Sequence, residues 1–394
     1  MISTLAIESY RSLRQLVIPL QTVNVVTGAN GSGKSSLYRA LRLLADTSRN
    51  GAVAALAREG GLASTLWAGP QAGSSDAKRR GYPTQGTVRT APHAVKLGFA
   101  GDEFGYAIDL GLPGSSAGDH TAFKLDPEIK AECIWHGPEL RPSTLLVQRA
   151  GSVVKIRSDD GSWTIIDHRL QPYDSMLGEL GAPEQAPEVM AMREQLRSWR
   201  FYDHFRTDAS APARSSRVGT RTPVLSSDGS DLPAALQTIV ESGGDQKLAE
   251  VLDHAFPGSR LEVTDRSGQL EIVFRQPGLL RPLASAELSD GTLRYLLLVA
   301  ALLSPRPPAL YVLNEPETSL HPELFAPLAM LIEVAAEDAQ IIVVTHVASL
   351  VEGLEAGHTA GKSVQTLELS KVDGETRVVG QRGIDKPSWS WPTR

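Results

Sequence analysis

The sequence predicts an α/β fold around a glycine-rich loop, with an antiparallel β lobe and a helical lobe and no coiled-coil arm. Three observations carry this. A glycine-rich loop at 28–33 stands between an apolar strand and a helix with leucines at helical spacing. Residues 88–170 break into short strands separated by turn signals. Strand and helix patterns then alternate from 292 to 345.

Taken in order, Val17 with Ile18 and the run 23–26 are β-branched and read as strands. Leu37, Leu41 and Leu44 form the buried stripe of the helix after the loop. Residues 69–87, rich in glycine, serine and charge, read as a surface loop. The segments HAVKLGF, YAIDLGL, STLLVQ, SVVKIRS and SWTIID read as strands, with Asp160 and Gly161 forming a hairpin turn. Helices are expected over 189–202 and 233–254, with a loop carrying Arg214, Arg217 and Arg221 between them. A hairpin over 260–275 leads into a helix over 292–303, a strand over 309–313, a helix over 322–336 and a strand over 340–345. A last hairpin turns at Asp373 and Gly374 before a tail of prolines and tryptophans. The expected organisation is one composite unit: 1–185 as loop and β lobe, 186–280 as the mainly helical lobe, 281–394 as the closing α/β lobe.

Composition narrows the class. A chain of 394 residues at 41% hydrophobic content buries a core easily. Its 39 basic and 45 acidic residues give a net charge of −6, so overall charge offers no support for nucleic-acid binding. The single cysteine, Cys133, excludes a disulfide framework and a cysteine zinc site, and fits a reducing compartment. Glu8, Arg11 and Arg14 interrupt the apolar runs of the N-terminus, so no secretory signal is expected there. The longest apolar run, 295–303, is far below the roughly 20 residues a membrane span needs. The expected location is the cytoplasm, with no membrane partner.

The chemistry begins with GANGSGKSS at 28–36, which matches G-x-x-x-x-G-K-[ST]. Glycines let successive N–H groups turn toward phosphate oxygens, and the following helix adds the positive end of its dipole. Gly28, Asn30, Gly31, Ser32, Gly33, Lys34, Ser35 and Ser36 are the candidate phosphate contacts, with Lys34 on the β- and γ-phosphates and Ser35 on Mg²⁺. A second block, LYVLNE at 310–315, ends an apolar strand in Asn314 and Glu315, and places Glu315 as the group that orients or deprotonates an attacking water. A third, LSDGT at 288–292, opens an apolar helix. Ser289 there is either a plain helix cap or, with Gly291, part of an anion site. A fourth, IIVVTH at 341–346, ends a strand in His346, placed to hydrogen-bond a γ-phosphate.

In this order, GANGSGKSS, ELSDGTLR, YVLNEPETSLHP and IIVVTH resemble the ABC-type ATPases of the SMC/RecF/OLD branch, and among them small RecF-like bacterial ATPases with an AAA family ATPase domain. The blocks anchor 1–48 and 281–350. The resemblance implies an ATP- and Mg²⁺-dependent hydrolase that works as a homodimer with nucleotide sandwiched between copies. Ser289 and Gly291 would then act on the γ-phosphate held by the partner's loop, Ser319, Leu320 and His321 would line the dimer interface, and His346 would be the switch histidine. It also implies a metal-linked glutamine, for which Gln171 is the first candidate and Gln148 the second, beside Ser35 and Asn314. DNA repair or a related DNA transaction is the implied setting, with DNA as a partner. The alternative is a slow, ATP-gated binding module that recruits a separate effector protein such as a nuclease.

Two departures stand out. Asp290 occupies the place of a glycine in the common signature, and Asn314 that of the aspartate before the catalytic glutamate. An amide still accepts a bond from a metal-bound water, but without the charge. Losing such an outer partner typically costs about 10–100-fold in metal affinity or activity.

Overall fold

The computed structural model describes residues 1–49, 51–69, 94–114, 122–158, 160–167, 169–180, 186–357 and 363–393. Of the expected surface loop over 69–87, residues 70–87 lie outside them.

Along the chain, strands β1 (Ile2–Tyr10), β2 (Leu13–Pro19) and β3 (Val23–Gly28) precede helices α1 (Lys34–Asp46), α2 (Ala52–Arg58) and α3 (Leu62–Thr65). Six strands follow: β4 (Ala94–Gly101), β5 (Phe104–Gly111), β6 (Glu128–His136), β7 (Leu145–Ala150), β8 (Val153–Arg157) and β9 (Trp163–Asp167). Helices α4 (Met176–Glu179) and α5 (Pro187–Ser198) lead to β10 (Arg200–Tyr202) and β11 (Arg217–Val218). Next come α6 (Leu232–Ile239), α7 (Asp245–Ala255), β12 (Arg260–Arg266), β13 (Gln269–Arg275) and β14 (Leu283–Ala284). The last part holds α8 (Asp290–Leu302), β15 (Leu310–Asn314), α9 (Phe325–Ala335), β16 (Gln340–Val344), α10 (Ala348–Ala356), β17 (Val364–Val372) and β18 (Glu375–Val378).

These elements form two compact units. The first comprises 1–20, 28–198 and 368–394, the second 21–27 and 199–367. In the first, eight antiparallel strands run in the order β2-β1-β4-β5-β6-β7-β8-β9. The turn at Asp160 and Gly161 joins β8 to β9 as expected: Gly161 has φ 83°, and Ser158 N–H donates to Ser162 C=O at 2.9 Å. Helix α1 buries Leu37, Leu41 and Leu44, the stripe that its spacing predicts. A buried ion pair, Arg149 Nη1 to Glu132 at 2.9 Å, sits inside this unit. Glu132 also accepts from Tyr106, Ser175 and the Met176 amide, so the buried charge is fully bonded. Near the chain's end, Trp389 and Trp135 meet edge to face at 5.7 Å, and Gly98 and Gly105 leave the room those rings need.

In the second unit, β10, β15, β16 and β3 lie side by side and parallel. A parallel sheet is buried on both faces, which is why β15 and β16 are continuous apolar runs rather than alternating ones. Helix α8 is buried from Leu293 to Leu302 and forms the centre of this core with Leu328, Leu331 and Ile332 of α9. A smaller antiparallel sheet, β11-β13-β12 with β14 on β13, contains the expected 260–275 hairpin.

Two expected helices differ from what folds. The one expected over 189–202 ends at Ser198; residues 200–202 instead pair in parallel with Tyr311, Val312 and Leu313. The one over 233–254 is interrupted by a π-turn, Val240–Gly244, in which Gly243 takes φ 86°. Among the described residues no helix is long and apolar enough to cross a membrane.

Candidate nucleotide site

The glycine-rich loop at 28–33 belongs to the first unit. Gly28, Gly31 and Gly33 all have positive φ, at 138°, 79° and 115°, values that L side chains rarely adopt. Two of them also have no room for a side chain. A Cβ on Gly28 would lie 2.2 Å from Leu369 C=O, and one on Gly33 would lie 2.1 Å from Thr376 Oγ1. The β17–β18 hairpin is therefore pressed against the loop, and Thr376 Oγ1 donates to Ser32 C=O at 2.7 Å. Gly31, by contrast, has nothing within 4 Å of its Cβ position and faces open space.

Lys34 is buried and donates from Nζ to the carbonyls of Gly28 at 2.5 Å and Ala29 at 3.2 Å, curling the loop over itself. Ser32 Oγ is buried and among the described residues finds no hydrogen-bond partner. A cradle of positive-φ glycines holding an orphaned hydroxyl and a lysine fits a polyphosphate. Asn30 and Ser35 are exposed, and Ser36 Oγ lies 3.5 Å from Ser12 Oγ.

In the same unit, Gln171 is exposed, and among the described residues its Nε2 reaches the Arg169 carbonyl at 3.5 Å. Its main chain is fixed nonetheless: buried Arg149 donates to Gln171 C=O at 2.7 Å. Gln148 lies inside β7, opposite Cys133 and Lys155. Burial pushes the Cys133 thiol well above its usual range, and the charge of Glu132 adds to the effect.

The acidic strand end, His346 and the serine–glycine pair lie in the second unit. Val26, Val344 and Asn314 stand in register across β3, β16 and β15. Parallel strands therefore deliver Thr27, Thr345 with His346, and Glu315 at one edge of the sheet, and Thr27 is the residue before Gly28. Glu315 has φ 48°, a left-handed conformation unusual for a residue preceding proline. Its N–H donates to Val344 C=O at 2.8 Å, and its carbonyl accepts from Thr318 N–H at 3.1 Å and Arg294 Nη2 at 3.3 Å. Strain of this kind costs about 1–3 kcal/mol and persists only where the surroundings over-determine it.

Beside it lies a residue that the sequence reading missed. Glu317 is only 3% exposed. Its Oε1 accepts from Thr345 Oγ1 at 2.5 Å and His346 N–H at 3.4 Å, and lies 3.5 Å from His346 Nδ1. Its Oε2 has no partner among the described residues. The His346 ring thus sits beside two carboxylates, since Glu315 Oε1 is 4.0 Å from the same nitrogen. Arg294, on α8, was missed too. Its buried guanidinium donates to the carbonyls of Asp203, Phe205, Glu315 and Pro316. Burial lowers its pKa, against the charges of Glu317 and Asp203, which raise it. One arginine in the apolar run LRYLLLVAALL was the available signal for a buried cation.

Ser289 caps α8, its Oγ accepting from Thr292 N–H at 3.1 Å. Gly291 packs against the following turn: a Cβ there would lie 3.1 Å from Ser319 C=O, and Ser319 itself has φ 66°. Ser289, Gly291, Ser319, His321 and Phe256 line a groove of about 590 Å³ on this unit. Among the described residues no three His, Cys, Asp or Glu side chains gather as a metal site. The candidates Ser35, Asn314 and Gln171 offer neutral oxygens, which suit a hard ion that keeps several waters and phosphate ligands.

Of the arginines at 197–221, five are bound within the chain, Arg200 donating to Trp199 C=O at 3.2 Å. Arg197 donates to Ser48 C=O, Arg206 pairs with Asp208, Arg221 pairs with Glu241, and Arg214 lies under the 285–290 segment.

Residues 23–352 match the family described as "AAA domain, putative AbiEii toxin, Type IV TA system", a span containing all four blocks. No curated protein matches the chain. Similar solved structures include an SMC head bound to the C-winged helix domain of ScpA, at 15% identity and TM-score 0.49 over 96% of this chain and 97% of that one. Another is the SMC head domain from Thermotoga maritima, at 16% and 0.49 over 97% and 99%. A third is the Smc head domain with an extended coiled coil from Pyrococcus furiosus, bound to the C-terminal domain of ScpA, at 14% and 0.46 over 96% and 95%.

Proposed function

Because the chain belongs to the AAA-domain family described as putative AbiEii toxins of type IV toxin–antitoxin systems, we propose that it binds and hydrolyses ATP as a nucleotide-sandwich homodimer. The observation that carries the reading is the register of β3, β16 and β15, which brings Thr27, Thr345 with His346, and Glu315 to one sheet edge. The loop amides and Lys34 bind the polyphosphate, Lys34 exchanging its bonds to Gly28 and Ala29 for phosphate oxygens. Glu315 orients and deprotonates the attacking water, and His346 hydrogen-bonds the γ-phosphate. Mg²⁺, when bound, neutralises charge developing on the phosphates. Ser35, Asn314 and Gln171 are the residues that would hold it. Ser289 and Gly291 complete the site of the partner copy at the N-terminus of α8.

Completion in trans is tested by mixing two dead variants. Ser289→Arg is expected to bind ATP as a monomer yet neither dimerise nor hydrolyse, and Lys34→Ala to lose binding. A mixed dimer has one doubly defective site and one intact site, so up to about half the parental rate returns if the sites act independently. Ser289→Arg hydrolysing like the parent would reduce Ser289 to a helix cap.

Asn314 favours a second reading, in which ATP locks the dimer, turnover is slow and the output is recruitment of an effector protein. Asn314→Asp is then the discriminating variant. A gain beyond about a hundredfold in phosphate release exceeds the outer-partner effect and supports the gated module. A DNA transaction such as repair is supported by the resemblance of the four blocks alone. Phosphate release with and without duplex or single-stranded DNA, across salt, tests it.

A further inference from the structure

The start of α8 poses an electrostatic problem. In the proposed reading this helix end receives an anion, yet its first residue, Asp290, carries a carboxylate that is 60% exposed. A negative charge there repels an arriving phosphate. Asp290 is paired, however. Arg214 Nη2 donates to its Oδ1 at 2.6 Å, from a side chain only 9% exposed.

The same guanidinium does more than neutralise Asp290. Its Nη1 donates to the carbonyls of Leu288 at 2.7 Å, Ala286 at 3.2 Å and Ser285 at 3.4 Å. Its Nε and Nη2 donate to Thr207 C=O at 3.0 and 2.8 Å, and Nε also reaches Asp208 C=O at 3.1 Å. One planar fork thus ties the segment leading into Ser289 to the 207–208 turn, far away in sequence. Lysine, a point charge with no fork, cannot span these acceptors.

We propose that Arg214 is a positioning residue for Ser289 and Gly291. It clamps the main chain at 285–288, so that the α8 N-terminus has a single conformation, and it cancels the charge of Asp290, so that amides and helix dipole face the partner's γ-phosphate unopposed. This rests on the assignment of Ser289 and Gly291 to the partner's nucleotide. It accounts for the tolerance of an aspartate where the common signature has glycine. It also removes Arg214 from any external phosphate contact, since its donors are already engaged inside the fold.

The clamp and the charge separate experimentally. Arg214→Ala, Arg214→Lys and the double variant Arg214→Ala/Asp290→Asn are compared with the parent by hydrogen exchange at 285–292 without nucleotide, fluorescent ATP-analogue binding to the monomer, and ATP-dependent dimerisation by sedimentation. Arg214→Ala is expected to exchange about tenfold faster at 288–292, keep analogue binding within about twofold, and dimerise at least about tenfold more weakly. Arg214→Lys, which keeps the charge and is the variant least prone to misfolding, falls between. The double variant regains about threefold in dimerisation without regaining exchange protection, because it removes the unpaired carboxylate but not the loss of the clamp. A merely structural role would move melting temperature and analogue binding together and give no such rescue. Parental exchange at 285–292 in Arg214→Ala and Arg214→Lys would overturn the clamp. Faster exchange with parental dimerisation would overturn the role in positioning. Ser289→Arg then identifies the cause: if it also dimerises normally, it is the assignment of Ser289 to the partner's nucleotide that has failed.

Discussion

Replacing Glu317 tests the buried arrangement under His346. Glu317→Ala removes the acceptor for Thr345 Oγ1 and His346 N–H and deprives buried Arg294 of the negative charge that acts on it most strongly. Hydrogen bonds to charged groups contribute about 1.5–3 kcal/mol each. The Thr345 bond at 2.5 Å deserves the upper part of that range and the 3.4 Å bond to His346 the lower. Against these stands relief of a buried carboxylate whose Oε2 has no partner among the described residues, worth about 1–3 kcal/mol. The net loss is about 2 kcal/mol for Ala and about 1 kcal/mol for Glu317→Gln, whose amide oxygen still accepts from Thr345. At a urea slope of about 2–3 kcal/mol/M, the Ala variant unfolds at a midpoint lower by somewhat under about 1 M, the Gln variant by about half as much. Phosphate release should fall further in Ala than in Gln, because only Ala frees the turn that carries His346. Parental midpoints in both variants would refute the reasoning.

Two further expectations follow from the same geometry. Gly33→Ala drives a Cβ into Thr376 and forces φ 115° on an alanine, so it should cost about 2–4 kcal/mol and abolish nucleotide binding. Gly31→Ala, with φ 79° but open space around it, should cost only about 1–2 kcal/mol; paired urea melts check the contrast. Cys133, buried and with its thiol pushed up by burial, should ignore an aromatic disulfide reagent at pH 8 in the folded protein and react fully once unfolded.

What was legible in the sequence is what lies close together along the chain. The loop at 28–36, the strand ending in Asn314 and Glu315, and the hairpins at 260–275 and Asp373-Gly374 have local periods and turn residues that no distant contact overrides. Residues 200–202 carry the preceding helical spacing, since three residues are too few to show a period of two; pairing with β15 decides their conformation. The π-turn in the 233–254 stretch had a local signal, the pair Gly243 and Gly244, outweighed by the apolar spacing on either side. The supporting residues of the candidate site were less visible. Arg214 meets Asp290 across 76 positions and Thr376 meets Ser32 across 344, so neither contact leaves a pattern in any local window. Glu317 stood inside a block already noted, but nothing local distinguishes a buried glutamate from a solvated one.

The central claim, that this chain hydrolyses ATP with Glu315 acting on the attacking water, meets its most direct test in steady-state phosphate release by parent and Glu315→Gln at saturating ATP and millimolar Mg²⁺, with ATP binding verified for both. The account predicts measurable release by the parent and a fall of at least about a hundredfold in Glu315→Gln, with ATP still bound and dimer accumulating. Equal release by the two proteins would contradict it.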